Sequence, residues 1–188
     1  MKKIVWTNKS NGQLCVTIPK NSGIKSGDIV SIEKEKIKKI VYSSTTGDMF
    51  HYGQLRLLQK ANDLGDFHVC GVLSDEAIKE YKNQPIATFK DRKAIISSLR
   101  CVDMVISQNE MDPTENLKKL HSQFNGAKII LVYGSNWKKI PGKDYIKKIG
   151  GKIVQPEFYE NLSTKSIIKK LLITYSEENQ KWKKYMLQ

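Results

Sequence analysis

Ten consecutive residues have the types and the order needed to hold a phosphate: Thr45-Thr46-Gly47-Asp48-Met49-Phe50-His51-Tyr52-Gly53-Gln54. They follow a short apolar run, Ile40-Val41-Tyr42. They precede Leu55, Leu58, Ala61 and Leu64, which are set at helical spacing. Threonine and glycine at a strand end let backbone N–H groups approach an anion, and the helix N-terminus behind them adds partial positive charge. His51 stands at that terminus, and Gly53 admits a ligand close to the backbone. The stretch matches neither GxGxxG nor a lysine-containing P-loop, so neither common phosphate motif applies. The other two histidines, His68 and His121, lie outside any such pattern and read as structural.

The elements that must position this loop follow from the pattern around it. From residue 38 onward strand and helix signals alternate, the signature of a parallel sheet with crossover helices. The helix from about Tyr52 ends near Leu64, with Gly65 suited to its C′ position. Phe67 to Leu73 is nearly all apolar, as a buried parallel strand should be. Asp91 to Leu99 predicts a helix with Ala94, Ile95, Ile96 and Leu99 facing inward, and Met104-Val105-Ile106 a strand. A helix over Pro113 to Phe124, opened by its proline, leads to strands at Lys128–Tyr133 and Lys152–Val154. Ser163 opens a last helix whose apolar face is Ile167, Ile168, Leu171 and Leu172. These elements make an α/β, Rossmann-like, doubly wound parallel sheet. In such sheets ligands bind at the carboxyl ends of the strands, where the strand order reverses.

Residues 1–40 read differently, as a small β-rich module. Leu14 to Ile18 and Ile29 to Ile32 predict strands, Asn11-Gly12 is a turn signal, and Pro19 stops the first strand. The division is therefore 1–40, 41–175, and a basic helical extension over 176–188. The 188 residues are 39% hydrophobic, enough for a real core. No apolar run is long enough to span a membrane, and no signal-peptide core follows Lys2-Lys3, so a cytoplasmic protein is expected. Cys15, Cys70 and Cys101 are odd in number and lack CxxC spacing, which argues against disulfides and zinc. A net charge of +13 favours polyanionic partners without choosing among nucleotide, nucleic acid and membrane surface.

The larger segment resembles the HxGH-type cytidylyltransferase-like nucleotidyltransferases, glycerol-3-phosphate cytidylyltransferases among them. Thr46-x-Asp48-x-Phe50-His51-x-Gly53 is similar to the family's G-T-F-D-x-x-H-x-G-H. In order behind it come Ser74-Asp75-Glu76, Lys82-x-x-Pro85 with Arg92, Arg100-x-Val102-Asp103-x-Val105, Gly134-Ser135-Asn136-Trp137 and Ser163-Thr164. The resemblance implies transfer of CMP from CTP to a small phosphate- or phosphonate-bearing acceptor, with Mg2+ accompanying the triphosphate. It implies that His51, Lys82 and Arg100 are catalytic. Nucleotide binding would fall to Thr46, Gly47, Asp48, His51, Gly53, Gln54, Gly134, Asn136, Trp137, Ser163 and Thr164. Plainer roles stand beside these: Ser163 as an N-cap, Arg100 and Asp103 as an ion pair, Trp137 as packing.

The departures from the pattern are specific. The family's second motif histidine is Gln54 here, its first glycine is Thr45 and its aromatic is Gly47. Gly134-Ser135-Asn136 removes two carboxylates. Glutamine hydrogen-bonds a phosphate but cannot carry the charge of a protonated histidine. The N-terminal module resembles the AbrB/SpoVT and MazE-type swapped-hairpin domain. Gly12-Gln13-Leu14-Cys15-Val16-Thr17-Ile18-Pro19-Lys20 and Gly23-Ile24-Lys25-x-Gly27-Asp28 carry that likeness. It implies a homodimer, with DNA as a further partner in many members. Two classes of function remain at this point: a CTP-dependent transferase, and a DNA-binding or regulatory protein whose nucleotidyltransferase domain binds a nucleotide without catalysis.

Overall fold

Two short strands, β1 (Trp6–Thr7) and β2 (Leu14–Cys15), pair antiparallel in the computed structural model, with Trp6 opposite Cys15. The structure describes residues 5–30, 37–81, 84–157 and 159–174. The expected turn lies between the two strands, where Gly12 takes the left-handed backbone and Asn11 Oδ1 accepts the Gln13 N–H. The expected strand Leu14–Ile18 is only two residues long, and a 3-10 turn over Lys20–Ser22 follows Pro19. Ile29 and Val30 are not in a strand, and the rest of that expected strand lies outside the described residues. Among the residues of this unit whose exposure is described none is buried, and Ile29 is fully exposed. The chain divides into compact units at Lys36/Ile37.

In the larger unit, apolar runs make a five-stranded sheet. Its elements are β3 (Lys39–Thr45), α1 (Tyr52–Asn62), β4 (Phe67–Leu73), α2 (Asp75–Lys79), α3 (Phe89–Ser97) and β5 (Met104–Gln108). Then come α4 (Thr114–Gln123), β6 (Lys128–Val132), α5 (Lys143–Lys148), β7 (Lys152–Val154) and α6 (Thr164–Thr174). The strand order is β5-β4-β3-β6-β7, and every pairing is parallel. Each of the seven residues of β4 is buried, which is why that strand reads as a nearly continuous apolar run, broken only by His68. Alternation along β3 splits the core in two. Ile40 and Tyr42 pack with Leu117 and Leu120 of α4 and Ile146 of α5, whereas Val41 packs with Ala61 of α1. Helices thus cover both faces, as the doubly wound expectation requires.

Three local readings are corrected. In α3, Ile95 is 42% exposed and Ala94 is also exposed, while Arg92 and Ile96 are the buried pair. Arg92 and Ile96 are four residues apart, so the inward stripe runs through a charged side chain that an apolar pattern passes over. Gly65 is not left-handed; a Cβ there would meet Val41 Cγ2 at 2.6 Å, so its role is close approach to β3. The apolar face of α6 buries no residue, and Leu172 is 68% exposed. Both structural histidines behave as expected. His68 is buried between the Ser43 hydroxyl at 2.8 Å and the Cys101 carbonyl at 2.5 Å, and its burial holds its pKa below the usual 6.5. His121 is half-buried against Tyr145.

Candidate active site

The sheet reverses its winding between β3 and β6, and a cleft of about 310 Å³ opens at their carboxyl ends. Its first wall is the β3–α1 loop. Gly47 turns the chain in the left-handed region, and Met49 does so as well. His51 is the N-cap of α1: its Nδ1 accepts the Gly53 N–H at 3.1 Å. Gln54 completes a capping box by taking the His51 N–H on Oε1 at 3.2 Å. Burial lowers the His51 pKa, and a ring whose Nδ1 accepts a hydrogen bond must carry its proton on Nε2.

A latch behind the wall fixes its position. Both Asp48 carboxylate oxygens are occupied, by the N–H groups of Ile86 at 3.1 Å and Ala87 at 3.0 Å. Arg92, wholly buried, donates to the carbonyls of Leu73 at 2.8 Å and Ala87 at 3.2 Å, and to that of Thr46. Its remaining nitrogen meets Asp75 at 2.5 Å. One guanidinium therefore ties the end of β4, the β3–α1 loop and the segment before α3 together.

The second wall comes from β6 and the loop after it. Tyr133 and Trp137 pack edge to face at 5.2 Å, and Tyr81 lies 6.3 Å from Trp137. The Ser44 hydroxyl donates to Tyr133 Oη at 3.2 Å. Gln155 holds this loop through the carbonyls of Gly134 and Trp137. The third wall is the start of α6. Ser163 caps it, its Oγ accepting the Ser166 N–H at 3.1 Å, and Thr164 and Lys165 face the cleft. Tyr159, stacked edge to face on Tyr52 at 5.1 Å, closes that side. Gln108 forms part of the floor. Its Oε1 accepts from Tyr42 Oη at 2.8 Å, a bond for which Gly71 leaves the space.

Nine of the expected residues line this one cleft: Thr46, His51, Gly53, Gln54, Gly134, Asn136, Trp137, Ser163 and Thr164. The others do not. Gly47 is buried against Ile96 and Arg92, and Asp48 spends its carboxylate on backbone, so both shape the loop from behind. Of the nine, Gly53 leaves room for the Leu162 carbonyl, 2.9 Å from where a Cβ would stand, rather than for a ligand. Arg100 is exposed in the turn that feeds the amino end of β5, across the sheet from the cleft. Asp103 accepts the His68 N–H at 2.8 Å. Lys82 lies outside the described residues.

Sequence reasoning missed Tyr81, Gln108, Tyr133, Tyr159 and Lys165. Of these Tyr133 carried a signal, since it stands at a strand's carboxyl end. Among the described residues, the lining contains Lys165 as a cation and no aspartate or glutamate. Among them, too, no group of three or more His, Cys, Asp and Glu side chains is placed to hold a metal. The arrangement suits an anion met by helix N-termini and neutral donors.

The cytidylyltransferase-like family model matches residues 45–170. The bifunctional protein HldE of Geobacter metallireducens is 32% identical over 154 residues, 80% of this chain and 30% of that protein. HldE of Helicobacter hepaticus is 34% identical over 140 residues, 72% of this chain and 27% of its own length. The chain thus spans less than a third of either relative. The crystal structure of a lipopolysaccharide core biosynthesis protein from Thermoplasma volcanium superposes with a TM-score of 0.56. It is 26% identical and covers 66% of this chain and 99% of its own. The chain belongs to the cytidylyltransferase-like family of nucleotidyltransferases.

Proposed function

We infer that the chain transfers a nucleotidyl group, CMP from CTP, to a small acceptor bearing a phosphate or phosphonate, and releases pyrophosphate. One observation carries the reading: the N-termini of α1 and α6, with His51 and Ser163-Thr164, converge on a single cleft at the switch point of the sheet, with no carboxylate among its described lining residues. Two anionic reactants need such a surface. An acceptor oxygen bonds to the α-phosphorus, the bond from that phosphorus to the bridging oxygen breaks, and pyrophosphate leaves with the electron pair. An ionised acceptor phosphate is its own nucleophile, so no general base is required. The protein's part is to hold the groups in line and to place donors where charge gathers. His51 Nε2–H and the first turn of α6 serve the phosphates, while Trp137 and Tyr159 offer ring faces to the base or the acceptor.

Mg2+ belongs to this reading as the triphosphate's companion. The described lining supplies no carboxylate, so the ion would rest on phosphate oxygens and water, as magnesium often does with nucleotides. Likeness to a lipopolysaccharide core biosynthesis protein makes a sugar phosphate one acceptor of the right kind. Residues 1–40 would join two copies, because so short a module cannot bury a core by itself; DNA is the less favoured partner. Sedimentation at micromolar concentration reads this, and a monomer refutes it. Among the described residues no helix is long and apolar enough to cross a membrane, and we place the reaction in the cytoplasm.

The direct test measures pyrophosphate release from each nucleoside triphosphate against a panel of phosphorylated acceptors. CTP with one acceptor class is expected to give release. A chain that binds triphosphate and releases nothing with any acceptor is a regulator instead.

A further inference from the structure

Helix α6 carries an apolar stripe that the fold leaves uncovered. None of its residues is buried, and Ile168, Leu171 and Leu172 are 40%, 45% and 68% exposed. Ile167, Ile168, Leu171 and Leu172 fall within an arc of about 140° around the helix, and Lys169 and Lys170 fall outside it. A groove of about 370 Å³ lies on the stripe, with Leu162, Ile167 and Leu171 beside Lys170. The first turn, with Thr164 and Lys165, faces the cleft, so the stripe begins beyond the site. Residues 175–188 lie outside the described residues, but their sequence keeps the same period. At helical spacing Tyr175, Trp182, Tyr185 and Met186 fall in the arc, and Lys181, Lys183 and Lys184 fall outside it. Glu178 and Asn179 are the polar residues within it. From Ser163 to Gln188 there is no glycine or proline to turn the chain back over the stripe.

We propose that α6 and the residues after it are an amphipathic surface that docks on a membrane rich in anionic lipid. Charge selects this occupant. The stripe is bordered by Lys169, Lys170, Lys181, Lys183 and Lys184, against Glu177 and Glu178. A second copy laid along the same stripe brings these lysines together, and like charges oppose that pairing. Anionic headgroups neutralise them instead. A nucleic acid answers the lysines but leaves the apolar side chains in water. At a membrane surface the apolar side chains sink to the acyl boundary, while lysine stems lie along them and lift their charges to the headgroups. The attachment is peripheral, since among the described residues no helix is long and apolar enough to cross a membrane. It is independent of the reaction carried out in the cleft.

The full chain is sedimented with vesicles of equal parts phosphatidylcholine and phosphatidylglycerol, and with vesicles of phosphatidylcholine alone. Binding is expected to be at least ~tenfold tighter on the anionic vesicles and to weaken as salt is raised. Leu171→Gln combined with Leu172→Gln is expected to weaken it at least ~tenfold. Both side chains are exposed, so Tm should stay within about 3 °C of wild type. Lys169→Gln combined with Lys170→Gln is expected to lower the anionic preference about tenfold. A wild type that stays in solution with both kinds of vesicle overturns the proposal. A leucine pair that binds like wild type while the lysine pair does not also overturns it, because attraction to any polyanion then accounts for the binding. Sedimentation velocity without lipid reads the other occupant: a wild-type oligomer that the leucine pair dissociates shows that a second copy covers the stripe, and the proposal falls. Should the leucine pair fail to fold, Leu172→Gln alone, at the more exposed position, decides.

Discussion

Replacing His51 by alanine is expected to lower pyrophosphate release by about 10²–10³-fold, the usual cost of removing one preorganised donor at the site of developing charge. The imidazole also caps α1, so His51→Ala costs stability as well, about 1 kcal/mol. His51→Asn separates the two effects. Asparagine is a good N-cap and accepts the Gly53 N–H, but it does not extend Nε2–H into the cleft. Its Tm is expected to match wild type while its rate stays as low as alanine's. A rate for His51→Asn within about tenfold of wild type, with a confirmed substrate, sinks the catalytic role. The ring adds a pH signature. Its folded pKa lies below 6.5, because burial disfavours the cation and the cap needs Nδ1 free of a proton. The folded state resists that proton, so the contribution is whole above about pH 6.5 and is lost as the pH falls through the lowered pKa. The Tm of wild type relative to His51→Asn, which does not titrate, is expected to shrink over that range.

The sequence made the sheet legible because its strands are buried on both faces. Phe67–Leu73 and Lys128–Val132 announce themselves as apolar runs, and the helix patterns between them supply the crossovers. Helices α2 and α5 left no such trace: at five and six residues they are too short for periodicity to show. In the cleft, His51 and Ser163 were readable from their place at helix starts. Arg100 was not, because motif order along the chain does not say at which end of the sheet a loop lies. It precedes β5, whereas the cleft follows β3 and β6. Only the fold sets Tyr81 and Tyr133 beside Trp137. Asp48 fits an anion-binding motif by type, yet its two oxygens take the N–H groups of Ile86 and Ala87, nearly forty residues away. Spacing alone cannot reveal a partner that distant.

The largest effect on folding is expected at Arg92. The guanidinium is fully buried, and its donors serve three carbonyls and the Asp75 carboxylate. Arg92→Leu fills similar volume but strands those acceptors in the interior. Each buried acceptor left without its donor costs about 1–3 kcal/mol, and the half-buried Asp75 loses its counter-ion as well. A fall in Tm of roughly 10 °C or more follows for a unit of this size. Arg92→Lys tests geometry against charge. Lysine keeps the cation near Asp75 but lacks the planar fork that reaches Thr46, Leu73 and Ala87 together. It is expected to recover part of the stability and little of the activity, because the β3–α1 loop and the Tyr81 side of the cleft lose their common tether. In kinetic terms kcat should fall more than KM rises, since the ligand-facing groups remain but their alignment does not. If Arg92→Lys instead regains wild-type kcat, the fork is not what aligns the cleft, and the charge beside Asp75 alone accounts for the residue.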